Sequence, residues 1–221
     1  MTGSNCNFRF LVLTIVAAMA TTAGCSSVYY NTMEKFGVHK RDIMVDRVQE
    51  ARDAQEEARD QFKSALQRFS AVVQFDGGDL EEKYTQLKDE YEQSSAKAQA
   101  VRDRIAAVED VAEALFAEWE SELNQYTNAN LRQSSARKLK QTRQHYNQLI
   151  SAMKRAEKKM DPVLASFQDQ VLYLKHNLNA RAVASLKSEL TSVEADVASL
   201  IREMEKSIKE ADSFIRTMEQ Q

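Results

Sequence analysis

One proline and five glycines in 221 residues leave little of the material from which turns are built. Proline presets φ, and glycine alone reaches positive φ at little steric cost. The chain therefore has room for few loops. Cysteine is equally scarce, with only Cys6 and Cys25, which leaves no framework of disulfides. There is no excess of positive charge: 30 Lys plus Arg stand against 33 Asp plus Glu. A nucleic-acid surface needs clustered basic residues to neutralise phosphates, so this balance argues against one. What remains is rich in Ala, Glu, Gln, Lys, Leu and Arg, the good helix formers. The composition predicts one or two domains of long helices with coiled-coil character.

The only strongly apolar run, "FLVLTIVAAMA", covers residues 10–20. It follows a start whose one charged side chain is Arg9, and it leads into the small residues "TTAGC". A weakly positive start, a short apolar segment and a small-residue cleavage zone make a secretory signal peptide. A spanning helix wants about 20 predominantly apolar residues. Here the second half of the uncharged stretch is Thr, Ser, Gly, Tyr and Asn.

Around "TAGC", residues 22–25, the sequence resembles a bacterial lipoprotein, with Thr22 where such boxes usually carry leucine. The resemblance implies that Cys25 is diacylated on its sulfur, cut free from Gly24 and acylated on its new amine. Three chains anchor far better than the one that gives marginal binding. By the same resemblance, Ser26 after the cysteine favours the outer membrane, periplasmic face, whereas an aspartate there implies retention in the inner membrane. An ordinary signal peptide, or an uncleaved one anchored in the inner membrane, is the alternative. The expected division is a signal peptide at 1–24, a lipidated tether at 25–39 and a helical bundle at 40–219.

From residue 40 onward apolar residues recur at alternating steps of four and three, the mark of a coiled-coil seam. The first stripe runs Met44, Val48, Ala51, Gln55, Ala58, Phe62, Ala65, Phe69, Val72, with Gln55 its one polar member. It ends at Gly77-Gly78, and Asp79 with Glu82 reads as a capping-box start. The second runs from Leu80 through Ser94, Val108 and Trp119 to Glu122 and Tyr126, stopping at the turn and cap residues Thr127, Asn128 and Asn130. The third runs from Leu139 through Met153 and Phe167 to Leu178, and stays in phase across Pro162. Two readings of Pro162 fit: a kinked continuous helix, which the unbroken phase favours, or a restart with Asp161 as N-cap. After "KHNLNARA", where Asn179 reads as an N-cap, the fourth runs from Val183 to Met218. Helices are expected near 40–75, 79–127, 130–178 and 180–219. Their short connections force neighbours to be antiparallel. The fold class predicted is all-α: an elongated bundle of four long helices. The seams could close within one chain or between chains, so the oligomeric state stays open.

No constellation for chemistry emerges. His39, His145 and His176 belong to no HExxH or ExxH pair, no phosphate-binding GxxxxGK[ST] or GxSxG occurs, and the mature chain keeps no free thiol. The expectation is no catalytic residue, no metal site and no cofactor. Trp119, with Leu115, Phe116 and Tyr126 near, suggests a ligand pocket, but its place on the stripe suits a core aromatic better. Two polar clusters are candidate interaction residues. His39, Lys40 and Arg41 would form a basic collar near the anchor, able to meet anionic lipid or a sugar-phosphate surface. Lys175, His176, Asn177 and Asn179 lie at a rod end, where a partner could dock. A solvated first turn and ordinary turn chemistry are the plainer accounts of each.

The stretches "FGVHKRDIMVDRVQEARDAQE", "FSAVVQFDGGDLEEKY", "VEDVAEALFAEWE" and "DPVLASFQDQVLYLKHNLNARA" together resemble an uncharacterised family of proteobacterial helical envelope lipoproteins, known only as a domain of unknown function. The resemblance implies no activity. The function expected is that of an outer-membrane-anchored periplasmic lipoprotein, a non-enzymatic structural or interaction rod. It would meet the membrane through lipid on Cys25 and bind another envelope protein. The alternative is a periplasmic ligand carrier or regulator of an envelope enzyme.

Overall fold

The computed structural model describes Tyr30, Met33 and residues 37–73, 80–177 and 179–220. The expected signal peptide, Cys25, the Gly77-Gly78 stop, Asp79 and Leu178 lie outside the described residues. The long elements are four α-helices: α1, Lys40–Val73; α2, Leu80–Leu123; α3, Ala129–His176; and α4, Ala180–Glu219. At about 1.5 Å per residue the longest, α3, runs roughly 70 Å. Each helix packs on its neighbours in the chain, and α4 closes the ring against α1. The topology is up-down-up-down. The start of α1, the end of α2, the start of α3 and the end of α4 share one end of the rod, here called proximal. The other four termini share the distal end.

The stripes are what the ring buries. Every member of the first, from Met44 to Val72, is buried. So are Leu87, Ser94, Ala98, Val101, Ile105, Val108, Ala112 and Leu115 on α2, and Leu139 to Leu174 on α3 apart from half-buried Tyr146. On α4 the stripe is buried from Val183 to Met218 except for half-buried Leu190. Phe62 of α1 stacks on Phe167 of the diagonal helix α3, ring centroids 6.3 Å apart. All four seams are therefore closed within a single chain. Off-stripe residues such as Ile43, Val111, Phe116 and Phe214 are also buried, so each helix buries a band wider than a two-stranded seam needs.

Outer ion pairs follow the same antiparallel register. Arg104 meets Glu50 at 2.8 Å and Lys97 meets Glu57 at 2.6 Å between α1 and α2. Arg143 meets Glu120, and Arg102 meets Asp161, both at 2.6 Å, between α2 and α3. Arg52 reaches Asp212 at 3.2 Å between α1 and α4. Exposed pairs of this kind contribute about 0–1 kcal/mol each, so they set register more than stability.

Three sequence expectations are refined. α3 is one helix from Ala129 to His176 with Pro162 inside it, so no restart occurs. Pro162 is exposed, which leaves the Lys158 carbonyl that loses its donor on the solvent side, where water can satisfy it. The second helix stops at Leu123 rather than 127. Its last turn tightens through Asn124 N–H to the Ser121 carbonyl (3.2 Å) and Gln125 N–H to the Glu122 carbonyl (2.9 Å), and Glu122 and Tyr126 are exposed. The cause is length: α1 has 34 residues against 44 in α2, so the end of α2 has less of α1 to pack against. Asn128 caps α3, its side-chain oxygen accepting from the N–H groups of Asn130 (2.9 Å) and Leu131 (3.2 Å).

Part of the segment before α1 is docked. Tyr30 is only 4% exposed, and its hydroxyl donates to Asp110 Oδ2 on α2 at 2.6 Å. Gly37 has φ +82° and Val38 N–H bonds the Met33 carbonyl at 3.1 Å. That 6→1 bond around a left-handed glycine is a Schellman stop, which a Cβ would strain.

The core carries one costly layer. Gln55 is 0% exposed, and neither of its amide atoms has a partner; the buried Ser207 hydroxyl is also unpaired. Arg52 on α1 bonds Asp212 on α4, and Arg59 feels the charge of Glu205. Gln55 and Ser207 fall within those two brackets, on one level of the α1–α4 interface. An unsatisfied buried polar group costs about 1–3 kcal/mol. Gln55→Leu should therefore stabilise the bundle by about 1–3 kcal/mol, whereas Phe62→Ala should cost about 3–5 kcal/mol. Denaturant unfolding of both variants checks this, and a destabilising Gln55→Leu would contradict it.

Candidate functional site

The two predicted polar clusters lie at opposite ends. α1 and α3 run parallel, so His39, Lys40 and Arg41 are proximal while Lys175, His176, Asn177 and Asn179 are distal. About 50 Å of α1 separates them.

Of the three collar residues at the proximal end, only His39 is exposed. Lys40 is 5% exposed, and its Nζ bonds Glu118 Oε1 on α2 at 2.9 Å. Arg41 donates to the Met218 carbonyl at the end of α4, where a cation and terminal helix carbonyls suit each other. Two of the three collar residues, Lys40 and Arg41, are thus engaged within the bundle, tying α1 to α2 and α4. Sequence reasoning missed this because a charged first turn shows neither its partners nor its burial. One cleft beside them is lined by Arg41, Leu115, Glu118, Trp119, Glu122 and Met218 and holds about 190 Å³; a second, lined by His39, Lys40, Arg41, Leu115, Glu118 and Glu122, holds about 370 Å³. Small-molecule pockets usually hold about 300–1,000 Å³.

Trp119 is half-buried and its Nε1–H donates to Ser135 Oγ on α3 at 2.8 Å, so its one polar atom is already used. Nearby, Phe116 meets Tyr146 edge-on at 5.4 Å and carries the Arg143 guanidinium 4.9 Å above its ring. This arrangement joins α2 to α3 as packing does.

At the distal end Lys175 and His176 are exposed and occupy the last turn of α3, where positive charge complements the helix dipole. Asn177 is the C-cap: its N–H bonds the Leu174 carbonyl at 3.1 Å and its side-chain Nδ2 bonds the Tyr173 carbonyl at 2.9 Å. Asn179 precedes Ala180 at the N-cap position, and its carbonyl accepts from Val183 N–H at 3.4 Å. Turn chemistry thus occupies both asparagines.

The less conventional surface lies one turn earlier, on the face shared by α3 and α4. A groove of about 440 Å³ there is lined by Asp169, Gln170, Tyr173, Leu186 and Glu189 with three serines. Leu172 beside it is 49% exposed and Tyr173 is 38% exposed. Gln170 is 6% exposed and its Oε1 has no partner. Sequence reasoning passed over these residues because it followed the stripe and the turn, not the flanks where two helices face one another. The signal was present: Gln170 occupies the position that a strict four-three step from Phe167 would assign to the seam.

Among the described residues no group of three or more His, Cys, Asp or Glu could hold a metal ion, and no helix is long and apolar enough to cross a membrane.

Burial raises the pKa of Tyr146 to about 12, with Glu109 and Glu113 adding to the effect. An unfolded tyrosine titrates near ~10. The folded state therefore holds this proton more tightly, and the stability it contributes is present below pH ~10 and lost as pH rises toward ~12. Tyr146→Phe should unfold at nearly the same temperature as the natural chain at pH 7 and fall less steeply between pH 10 and 12. Melting curves across that range check this, and parallel curves would contradict it.

The chain belongs to the family described as a protein of unknown function, DUF2959, whose model matches residues 29–218. No curated protein and no solved structure matches the chain.

Proposed function

We propose that this family member is a periplasmic lipoprotein anchored in the outer membrane, serving as a non-catalytic structural or protein-interaction rod of the cell envelope. The observation that carries the reading is the position of Cys25 in "TAGC", five residues before Tyr30, the first described residue, which is docked on the bundle. The lipid would supply location, and a rod of roughly 70 Å would supply reach. The exposed faces and the distal end would supply recognition. The closed ring supports a scaffold role: its apolar seams are spent on one another, so what it offers outward is a long charged surface with local grooves.

The Tyr30–Asp110 contact adds a geometric consequence. Five residues of extended chain span at most about 18 Å, so an acylated Cys25 would hold the bilayer near the Asp110 level of α2.

Fractionation of a Gram-negative host expressing the full chain tests the reading. The natural protein should sediment with the outer membrane, and its N-terminal peptide should begin at Cys25 with the mass of three acyl chains. Cys25→Ser should stay at precursor length and leave that fraction. A natural protein found free in the periplasm, or in the inner membrane with residues 1–24 retained, would overturn it.

A further inference from the structure

Charge is distributed unevenly along α3. Between Ala129 and Met160 the helix carries nine Lys or Arg and a single carboxylate, Glu157. Three of these cations are matched by neighbouring helices: Arg143 by Glu120, Lys154 by Glu109 and Arg155 by Glu203. The other six, Arg132, Arg137, Lys138, Lys140, Lys158 and Lys159, are exposed and make no ion pair among the described residues. Lys158 stands one turn from both Lys154 and Arg155, and like charges at that spacing are unfavourable. The result is a cationic surface about 40 Å long that the bundle does not neutralise. An apolar border adjoins it at the proximal end. Leu131 is 58% exposed and Tyr126 is 40% exposed. Leu131 lies seven residues before Lys138, two turns away on the same side of the helix.

The segment that leads to Cys25 meets the rod beside this surface, and not at a tip. Tyr30 bonds Asp110, and the residue before it on α2, Glu109, is the one that pairs with Lys154 of α3. Along α2, Leu80–Leu123, Asp110 stands about 20 Å from the proximal end and about 45 Å from the distal start. The start of α3 projects further, since Ser135 already lies opposite Trp119. Five residues span at most about 18 Å, so both tips are beyond their reach, whereas α3 is only one helix away, about 8–10 Å. We infer that the outward surface of α3 from Arg132 to Lys159 lies on a bilayer containing anionic phospholipid, so that the rod runs along the membrane instead of standing on it. Headgroup phosphates supply the negative charge that the bundle withholds, and each cation near them strengthens the attachment. Tyr126 and Leu131 suit the boundary between headgroups and acyl chains. The lipid contact expected of His39, Lys40 and Arg41 passes to α3, because Lys40 and Arg41 are engaged within the bundle. The level of the tether favours a bilayer over an acidic protein. Nearness of that bilayer rests on the acylation of Cys25 proposed above; the charge of α3 does not.

The test uses the full chain reconstituted in phosphatidylcholine vesicles with or without about 30% phosphatidylglycerol. A fluorescent amino acid replaces Ser151 on α3 or, in a second protein, Asp46 on α1. Both positions are exposed. Each lies sixteen residues before a member of the stacked pair Phe167 and Phe62, so they share a level on diagonal helices. Energy transfer to an acceptor on the lipid headgroups reports which side faces the bilayer. With phosphatidylglycerol present, transfer from position 151 should exceed that from position 46 by about twofold or more. The excess should vanish in phosphatidylcholine alone and at about 0.5 M salt, where screening leaves a range of only a few Å. Arg137→Gln, Lys138→Gln, Lys140→Gln, Lys158→Gln and Lys159→Gln together should abolish it as well. They should leave the melting temperature no lower than that of the natural chain, because no ion pair among the described residues is lost. Equal transfer from the two positions, a larger signal from position 46, or an excess that survives removal of phosphatidylglycerol or the five substitutions would overturn the proposal. So would soluble polyglutamate that removes the excess at about a tenth of the lipid's charge concentration, since that would assign the surface to an acidic polypeptide. A chain that is acylated yet shows no excess defeats this proposal alone; one that shows the excess without acylation defeats only the anchor.

Discussion

No helix of this chain can bury its apolar stripe alone, and everything else in the structure follows from that constraint. An isolated helix gains little from propensity; its stability comes from packing one face against another element. With few glycines and one proline available for turns, the chain has four long faces and short connections between them. The ring in which α1 meets α2 and α4, and α3 meets the same two, buries all four at once. The diagonal contact of Phe62 with Phe167 shows how little room remains at the centre. Removing one helix would expose two seams, so the bundle should stand or fall as a unit.

That constraint also explains where the structure tolerates poor chemistry. Gln55 and Ser207 leave three buried polar atoms unpaired, at a cost that apolar side chains would avoid. Ser94 shows the alternative: it is equally buried, yet its hydroxyl bonds the Glu90 carbonyl one turn back at 2.7 Å. Because Gln55 and Ser207 are unpaired in the register observed, this layer costs stability without favouring that register over another. The α1–α4 interface closes the ring between the first and last helices, which no short loop holds in register. The Arg52–Asp212 pair marks that register instead.

Most of the fold was legible because helical periodicity is a strong local signal. The stripe from Met44 to Val72 is buried to its last member, and the Asn128 cap was legible from residue type. What escaped was everything set by the relation between helices. The engagement of Lys40 with Glu118, the docking of Tyr30 on Asp110 and the early end of α2 each depend on stagger and on unequal helix lengths. A single stripe does not carry that information. Pro162 was legible only as a choice, and its exposure decided it. The distal groove belongs with the unread part. Asp169 and Glu189 look like ordinary solvated charges until the α3–α4 register places them on one groove.

The same register gives the rod a polarity. At the proximal end charges are consumed internally: Lys40 by Glu118 and Arg41 by the Met218 carbonyl. Midway, cations and carboxylates alternate across each interface and satisfy one another, as Arg102 does with Asp161. Toward the distal end of the α3–α4 face the alternation fails, the groove opens and Leu172 and Tyr173 stand exposed. There Asp169 and Glu189 share a groove with no basic residue in its lining, and Gln170 Oε1 is buried without a donor. Buried polar atoms without partners occur both there, at Gln170, and in the Gln55–Ser207 layer nearer the middle of the rod.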